Sequence, residues 1–189
     1  MLLSQFQTVG HDLFTRGLVS SHSGNLSIRL RDHLIITRRS CSLSCLQEPD
    51  LIETGICKND RCTPLASIEL AVHRAIYQET PALAIVHAHP PHAVALSLVE
   101  TEIVPNDAEG LAMIGRVPIL GWHMEVRLGG LADIIAQALK QHRIVMVHGH
   151  GSFAIGQLLE EAYSCTTMLE ESCRVICLLK SLQVGPDKE

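Results

Sequence analysis

Two apolar runs of this chain end in the same His-x-His pattern, and this repeat restricts how the chain can fold. The first run, LAIVHAH, contains His87 and His89, and the second, RIVMVHGH, contains His148 and His150. Short apolar runs rich in β-branched residues are typical of buried strands. A buried imidazole is costly unless it forms a hydrogen bond or binds an ion. The fold must therefore give these strand ends polar partners or a metal.

A metal ion accounts for the repeat. Residues two apart in a strand point to the same side, so His87 and His89 can contact one ion. The second strand end can add a third imidazole and leave one position open, as a catalytic zinc site needs. Spacing alone allows His148 or His150 in that place, and Gly151, where the backbone can turn closely around a ligand, favours His150. We expect zinc, although cobalt, manganese or iron could replace it.

Other interpretations of these histidines have less support. The first pair could be hydrogen-bonded at a strand end without any metal. His92 competes as a ligand, but Pro90-Pro91 interrupts the strand period, so we expect it to begin a helix or to line the pocket. A metallo-β-lactamase site would need Asp where Pro91 stands, and a cupin site would need a Glu closer than Glu100. Both of these metal folds are disfavoured.

Composition predicts one soluble domain, residues 1–189. The chain is 47% hydrophobic and 19% charged, with a mean hydropathy of +0.21, which indicates a deep core or surface buried against copies of itself. A net charge of -5 argues against nucleic acid or anionic membrane as a partner. No apolar run is long enough for a membrane span, and the start of the chain lacks signal-peptide features. Seven cysteines are expected as free thiols in the cytoplasm, and the four between residues 41 and 62 are too loosely spaced for a structural zinc site.

Helical and strand patterns alternate along the chain. Helices are predicted over residues 3–16, 63–78, 131–142 and 159–182. Strands are predicted for GNLSIRL, LIITR, LAIVHAH, EIVP, VPIL, RIVMVHGH and SFAIG, while residues 38–62 show no period and are expected to be irregular. This alternation predicts an α/β architecture in which helices cover a sheet.

Two further features suit metal-assisted chemistry. Glu69 lies in the first turns of the helix that leads to the His87 strand. A metal that polarises a carbonyl needs such a base nearby, although the same carboxylate is also favourable as a solvated group near a helix N-terminus. The GNLS segment, with Gly24 and Asn25 at a strand start, could hold an anion or be merely a turn.

The chain resembles the class II aldolase/adducin family over roughly residues 5 to 180. The resemblance rests on four segments in a set order, SGNLSIRL, ASIELAVHRAIY, IVHAHPPHAVALS and VMVHGHGSFAIG. It is strongest toward the members that act on fuculose phosphate and ribulose phosphate. It implies a three-layer αβα fold with a central, mainly antiparallel sheet. It also implies a homotetramer with active sites at subunit interfaces.

The resemblance also implies roles for individual residues. The family's zinc ligands fall on His87, His89 and His150, and its catalytic acid/base falls on Glu69, which keeps the family's spacing of four from His73. Its phosphate pocket falls on the loop after the second strand, on the residues just before Glu69, and on Gly24 and Asn25.

This chain departs from the family pattern at the phosphate pocket. Arg39 and Ser40 stand where these aldolases commonly have Thr-Gly, and Ser67 is followed by Ile68 instead of a second serine. An arginine, Arg38 or Arg39, could replace the lost donor with a charge-assisted contact. Where some members use a tyrosine of the neighbouring subunit as an acid, the segment VPNDAEG offers Glu109 or Asp107.

The function implied by the resemblance is that of a lyase. We expect reversible cleavage of a ketose 1-phosphate, such as L-fuculose 1-phosphate, to dihydroxyacetone phosphate and an aldehyde through an enediolate. Asn25, Ser40 and Ser67 would hold the phosphate. A sugar-phosphate epimerase, dehydratase or decarboxylase that uses the same zinc is the alternative. A non-catalytic, adducin-like module would lack the histidines, and all three are present.

Overall fold

The computed structural model describes residues 2–121 and 128–183 as an eight-stranded sheet with helices on both faces. The strands are β1 (Asn25–Leu30), β2 (His33–Thr37), β3 (Leu51–Gly55), β4 (Ala84–Ala88), β5 (Glu102–Ile103), β6 (Val117–Leu120), β7 (Ile144–Val147) and β8 (Gly151–Gly156). The helices are α1 (Leu2–Thr15), α2 (Leu70–Glu79), α3 (Pro91–Ser97), α4 (Ala108–Met113), α5 (Leu128–Ala138) and α6 (Leu159–Gln183).

The sheet has the strand order β3-β2-β1-β4-β8-β7-β6-β5. Neighbouring strands are antiparallel except for the parallel pair β6 and β7. The predicted mainly antiparallel sheet is therefore confirmed. Strand β4 lies in its centre, between β1 and β8, so its side chains are covered on both faces.

Alternating residues of the central strands divide the core into two layers. Ala84 and Val86 of β4 face one cluster, which α1, α3 and α6 cover. Ile85 of the same strand faces the other cluster, which α2 and α5 cover. This arrangement confirms the predicted three-layer αβα fold. None of the helices in these ranges combines the length and the apolar character needed to cross a membrane.

The segment expected to be irregular, residues 38–62, proved to contain a strand. Strand β3 pairs with β2, with Ile52 opposite Ile36, and two short 3-10 helices, Leu43–Cys45 and Glu48–Asp50, precede it. The sequence prediction was wrong here because the strand is only five residues long and is defined by its pairing with β2.

The helix predicted to begin at residue 63 starts later. A 3-10 turn, Thr63–Leu65, occupies the predicted start, and α2 begins at Leu70. The chain between them is pulled to the end of β2, because Ser67 donates its amide to the Thr37 carbonyl at 3.1 Å and Ala66 forms an isolated bridge with Arg38. Glu69 consequently precedes the first helical residue and does not lie within the first turns.

We predict that removing a buried aromatic ring from α1 destabilises the protein far more than removing an exposed one. Phe6 is 0% exposed and Phe14 of the same helix is 41% exposed. Phe6→Ala should lower the free energy of unfolding by about 3–5 kcal/mol. Phe14→Ala should change it by less than about 1 kcal/mol. Urea denaturation measures both, and equal losses would contradict the position of α1 in the core.

Candidate active site

His87 is the most constrained of the predicted ligands. It lies on β4 opposite Asn25 of β1 and Phe153 of β8, and its side chain is buried. Its ring stacks on Phe153, with centroids 4.2 Å apart and an interplanar angle of 22°. Its Nδ1 donates to the Ser152 carbonyl at 2.9 Å. Since that bond fixes the tautomer, Nε2 of the neutral ring is the free acceptor.

Two more imidazoles meet this nitrogen. His89 directly follows β4, and His150 lies in the turn between β7 and β8, where its amide donates to the Val147 carbonyl. One ligand atom from each of His87, His89 and His150 lies within 4.8 Å of the others. The structure thus places His150 in the group of three, and His148, the alternative by spacing, is not a member.

Gly151 allows the two strand ends to approach each other. A Cβ at this position would lie 2.4 Å from the Ala88 carbonyl oxygen and 2.6 Å from Cδ2 of His89. Contacts this short are not tolerated, so any side chain here would push β8 away from β4. The glycine after the second His-x-His pair is therefore a requirement of the three-histidine geometry.

Glu69 completes the group with a carboxylate. Its Oε2 lies 3.1 Å from Nε2 of His87, and its Oε1 lies 3.4 Å from Nε2 of His150. The same Oε2 accepts a 2.6 Å hydrogen bond from Nδ2 of Asn25. The side chain is only 14% exposed, so water contributes little to these contacts.

The chemistry of this donor set fits a divalent cation. Nε2 of His87 is an acceptor, yet it faces a carboxylate oxygen and, at 2.9 Å, Nε2 of His89. Burial and the neighbouring imidazoles lower the pKa of His87 well below its usual value, and burial followed by His150 lowers the pKa of His89. Both rings are therefore neutral near pH 7, which is the form that binds metal, and a cation relieves the contact between two acceptors, Nε2 of His87 and the Glu69 carboxylate. Imidazole and carboxylate ligands suit zinc without excluding other divalent ions.

A cavity of about 230 Å³ opens above these side chains. It is lined by most of the residues predicted from sequence to form the site, namely Gly24, Asn25, Arg39, Ser40, Ser67, Glu69, His87, His89 and His150. Gly24 has a φ of +76°, and a Cβ there would lie 2.9 Å from the His87 carbonyl oxygen, so only glycine fits this turn.

The loop after β2 brings two arginines, Arg38 and Arg39, to the cavity. Arg38 is held by Asp50, whose Oδ1 lies 3.1 Å from Nε and 3.0 Å from Nη2 of the guanidinium. The Arg39 side chain is exposed and has no ion-pair partner in residues 2–121 or 128–183. Ser40 has a φ of 59°, the left-handed region that favours glycine. The aldolases that this chain resembles commonly carry glycine at this position, so Ser40 keeps a backbone conformation that suits glycine.

Ser67 also lies at the cavity, two residues before Glu69. Its Oγ accepts a 3.2 Å hydrogen bond from the Glu69 amide, which leaves the hydroxyl hydrogen available for a ligand. Ile68, which replaces the family's second serine, is 80% exposed.

The two acids of the VPNDAEG segment lie elsewhere. Glu109 is exposed on α4 and does not line the cavity of its own chain. Asp107 caps α4 by accepting a 2.7 Å hydrogen bond from the Gly110 amide, and the nearby Ser172 hydroxyl together with that amide lowers its pKa. Asp107 is thus occupied as a cap, and the role predicted for Glu109 stays a prediction.

Sequence reasoning missed several neighbours of the site. His22, Ser23 and Cys41 line the cavity, although no spacing rule pointed to them. Beneath the cavity, Ser27 Oγ lies 2.6 Å from Nδ1 of His73 and 2.7 Å from the Tyr77 hydroxyl. Burial lowers the pKa of His73 to about 3, so this histidine is neutral. The signal that could have found this group is the spacing of Glu69, His73 and Tyr77 along one face of a helix.

His92, the competing ligand, has a different partner. Its Nδ1 lies 2.6 Å from Oε1 of Glu170, and the same carboxylate accepts from the His92 and Ala93 amides. As expected from Pro90-Pro91, His92 lies in the first turn of α3. It is not a member of the three-histidine group.

Comparison with known proteins agrees with this geometry. A family model described as the class II aldolase and adducin N-terminal domain matches residues 4–177. The chain belongs to this family. The resemblance seen in the four sequence segments is therefore confirmed, and so is the expectation that the chain is an enzyme of the lyase class.

Three relatives of this class II aldolase illustrate the range of the family. The solved structure of L-fuculose-1-phosphate aldolase from Thermus thermophilus has a TM-score of 0.90 and 37% identity, and the match covers 98% of this chain and 97% of that one. L-fuculose phosphate aldolase of Methanococcus maripaludis is 27% identical, over 96% of this chain and 99% of that protein. A 3-oxo-tetronate 4-phosphate decarboxylase of Pectobacterium atrosepticum is 28% identical, over 90% of this chain and 81% of that protein.

We predict that Gly151→Ala weakens metal binding without unfolding the protein. The added methyl group would separate the His89 and His150 ends of the site, and the affinity for Zn²⁺ should fall about tenfold or more. Gly130→Ala on α5 is the matched control, because its Cβ would have no atom within 4 Å. Competition with a chelator measures both variants, and an unchanged affinity in Gly151→Ala would contradict the close approach of the strand ends.

Proposed function

We propose that this chain is a zinc-dependent aldolase that reversibly cleaves a ketose 1-phosphate, such as L-fuculose 1-phosphate, to dihydroxyacetone phosphate and an aldehyde. The observation that carries the proposal is the convergence of Glu69 with three imidazoles in one cavity. The relatives named as fuculose-phosphate aldolases support the substrate class.

Residues His87, His89 and His150 would hold the cation. A bound divalent cation polarises a carbonyl and stabilises the negative charge that develops on its oxygen. Three imidazoles leave room for substrate oxygens at the cavity side, where His150 is partly exposed.

Glu69 would move the proton on carbon. In the direction of synthesis, its carboxylate removes a proton from the carbon beside the carbonyl of dihydroxyacetone phosphate. That carbon then bonds to the aldehyde carbon, while the aldehyde oxygen takes a proton from a second acid. In the direction of cleavage, the second group removes the hydroxyl proton, the bond between the two carbons breaks, and protonated Glu69 returns its proton to the carbon. Its low exposure and its fixed contacts suit a general base, whose efficiency depends on its position.

The phosphate group would bind at the opposite side of the cavity. Arg39 offers a charge-assisted contact, and the hydroxyls of Ser67 and Ser40 offer neutral ones. Arg38 is less suited because Asp50 already binds its guanidinium. The left-handed Ser40 keeps the turn that glycine gives other family members, while Arg39 adds a charge.

Decarboxylation of a sugar-acid phosphate is the second candidate reaction. It is favoured by the relative named 3-oxo-tetronate 4-phosphate decarboxylase, whose 28% identity to this chain is close to the 27% of the Methanococcus maripaludis aldolase. In that reaction Arg39, which has no ion-pair partner among the described residues, would bind one of the two anionic groups of the substrate, its carboxylate or its phosphate. The same cation and the same base would serve either reaction, so the products decide between them.

We further propose a homotetramer in which a neighbouring subunit completes the cavity. Three apolar side chains are more than half exposed, namely Ile68 at the cavity and Leu98 and Val99 just after α3. Exposed apolar side chains of this kind suit an interface. Glu109 of the neighbouring subunit would then act on the aldehyde oxygen.

The proposed unit is a single domain. All seven cysteines lie in the described residues as free thiols, which favours the cytoplasm.

We predict that Glu69→Gln abolishes most of the activity while keeping the metal. The rate of dihydroxyacetone phosphate release from L-fuculose 1-phosphate should fall by about a hundredfold or more, because the amide cannot transfer the proton. Glu53→Gln on β3, an exposed acid outside the cavity, is the control and should retain full activity. If Glu69→Gln cleaved phosphorylated ketoses as fast as the wild type, the assignment would be wrong.

A panel of ketose phosphates and sugar-acid phosphates, with products identified by mass, separates cleavage from decarboxylation.

We predict that Arg39→Ala weakens binding of the phosphorylated substrate. Loss of one charge-assisted contact should raise KM about tenfold or more and leave kcat nearly unchanged. The control is Arg61→Ala, which removes an exposed arginine that does not line the cavity. Steady-state kinetics at varied substrate concentration measure both, and an unchanged KM in Arg39→Ala would remove this residue from the phosphate site.

A further inference from the structure

Helix α3 lies between the two strand ends that carry the imidazoles of the site. It begins at Pro91, two residues after His89. At its other end, Oγ of Ser97 accepts a 2.9 Å hydrogen bond from the amide of Gly149, the residue before His150. One short helix therefore connects the His89 end of the site with the His150 end.

The connection between His89 and α3 is stiff. Pro90 is the whole link between His89 and the first helical residue, Pro91, and the ring of each proline fixes its φ. On the other side, the His89 amide donates to the Leu18 carbonyl at 2.8 Å, which holds the backbone before the link. The direction of α3 is therefore set relative to His89.

Helix α6 holds the start of α3 in place. The carboxylate of Glu170 accepts hydrogen bonds from the amide of His92 at 3.0 Å and from the amide of Ala93 at 3.3 Å. The Glu170 side chain is 13% exposed, so water competes little for these bonds. One turn further along, Leu96 is buried in the core that α6 covers. Helix α3 is thus a fixed support for whatever it contacts.

The turn that carries His150 is supported from outside. The His150 amide donates to a carbonyl of the same turn at 3.0 Å, and this bond fixes the shape of the turn without fixing its position. Hydrogen bonds from the His148 amide to the Leu120 carbonyl of β6 and from the Gly149 amide to Ser97 tie the turn to other elements. The bond to Ser97 depends on a side chain, so a substitution can remove it.

The Ser97 hydroxyl is oriented toward this turn. It is 0% exposed, and its hydrogen is donated to the Val94 carbonyl at 2.7 Å. The oxygen consequently keeps a lone pair for the Gly149 amide. Gly149 has a φ of +64°, and a Cβ there would lie 3.1 Å from Cδ2 of Leu98. The turn therefore lies directly against the end of α3.

His150 is the imidazole that depends most on the position of its backbone. The side chain of His87 is 1% exposed and is held by its bond to Ser152 and its stacking on Phe153. The side chain of His150 is 41% exposed, and it lies 3.4 Å from Glu69. With so little of its ring enclosed, His150 reaches the other imidazoles only if its turn is correctly placed.

We propose that α3 holds the two strand ends of the metal site at a fixed separation, and that Ser97 is a positioning residue for His150. The inference rests on the proposed binding of a divalent cation by the three imidazoles. Loss of such a residue leaves the ligand set complete and lowers the affinity, because one ligand can leave the geometry that the ion requires.

The test compares Co²⁺ and Zn²⁺ binding by wild type and Ser97→Ala. We expect the affinity for both ions to fall about tenfold or more, since residues that orient metal ligands typically contribute that much. Thr166→Val on α6 is the matched control. It also removes a hydroxyl that is 0% exposed and donates to a helix carbonyl, that of Ala162, but it lies outside the cavity. Its affinity should change less than about threefold, and a thermal melt of each variant verifies folding.

Two measurements on metal-free protein separate positioning from a general loss of stability. Hydrogen exchange followed by mass spectrometry should show exchange about tenfold faster or more in the peptide that contains Gly149, while residues 84–88 of β4 keep their protection. A crystal structure of Ser97→Ala should show His150 displaced and His87 unmoved. If Ser97→Ala fails to fold, Ser97→Cys, which fills the position with a much weaker acceptor, provides the same comparison.

Failure of this inference is distinguishable from failure of the proposed metal site. Wild-type affinity in Ser97→Ala, or an unmoved His150 in its crystal structure, would overturn the inference. An equal loss of affinity in Thr166→Val would also overturn it, because the effect would then be one of general stability. A wild type that binds neither ion would instead reject the proposed metal site. The exchange of Gly149 and the position of His150 need no metal and would still test the role of Ser97.

Discussion

The site depends on one hydrogen bond, which joins β4, the strand of His87, to β8, the strand that follows His150. Nδ1 of His87 donates to the Ser152 carbonyl of β8, and the ring stacks on Phe153 of the same strand. These contacts fix the ring plane and the tautomer, and they direct Nε2 toward His89, His150 and Glu69. A metal ligand oriented in this way by its second nitrogen loses little freedom on binding an ion.

The sheet order explains why the remaining groups arrive at the same place. Strand β4 lies between β1 and β8, so Asn25, His87 and Phe153 form a row across the sheet. The connection from β2 to α2 brings Ser67 to the end of β2 and Glu69 above that row. A buried strand therefore holds the most constrained imidazole, and flanking turns carry the proposed base and the proposed anion contacts. Enzymes commonly place functional residues on loops that a rigid scaffold positions in this way.

Much of this site could be predicted from sequence because strands and helices impose periods. The spacing of two placed His87 and His89 on one side, and the glycine at position 151 favoured His150 over His148. Pairing between distant segments could not be predicted. Strand β3 is defined by its pairing with β2, and the late start of α2 by the Ser67–Thr37 contact. Asn25 forms a hydrogen bond with a carboxylate 44 residues away. Local patterns carry no information on such contacts, whereas tertiary packing decides them.

The central claim is tested most directly by the stoichiometry and affinity of divalent cation binding. Both are measured by titrating metal-free protein with Co²⁺ and recording its visible spectrum. The account predicts one ion per chain, with a visible spectrum typical of imidazole ligation at low coordination number. Replacing His150, on a different strand end from His87 and His89, should abolish that spectrum. Binding of Co²⁺ by His150→Ala with wild-type affinity and spectrum, or no binding by the wild type, would contradict the account.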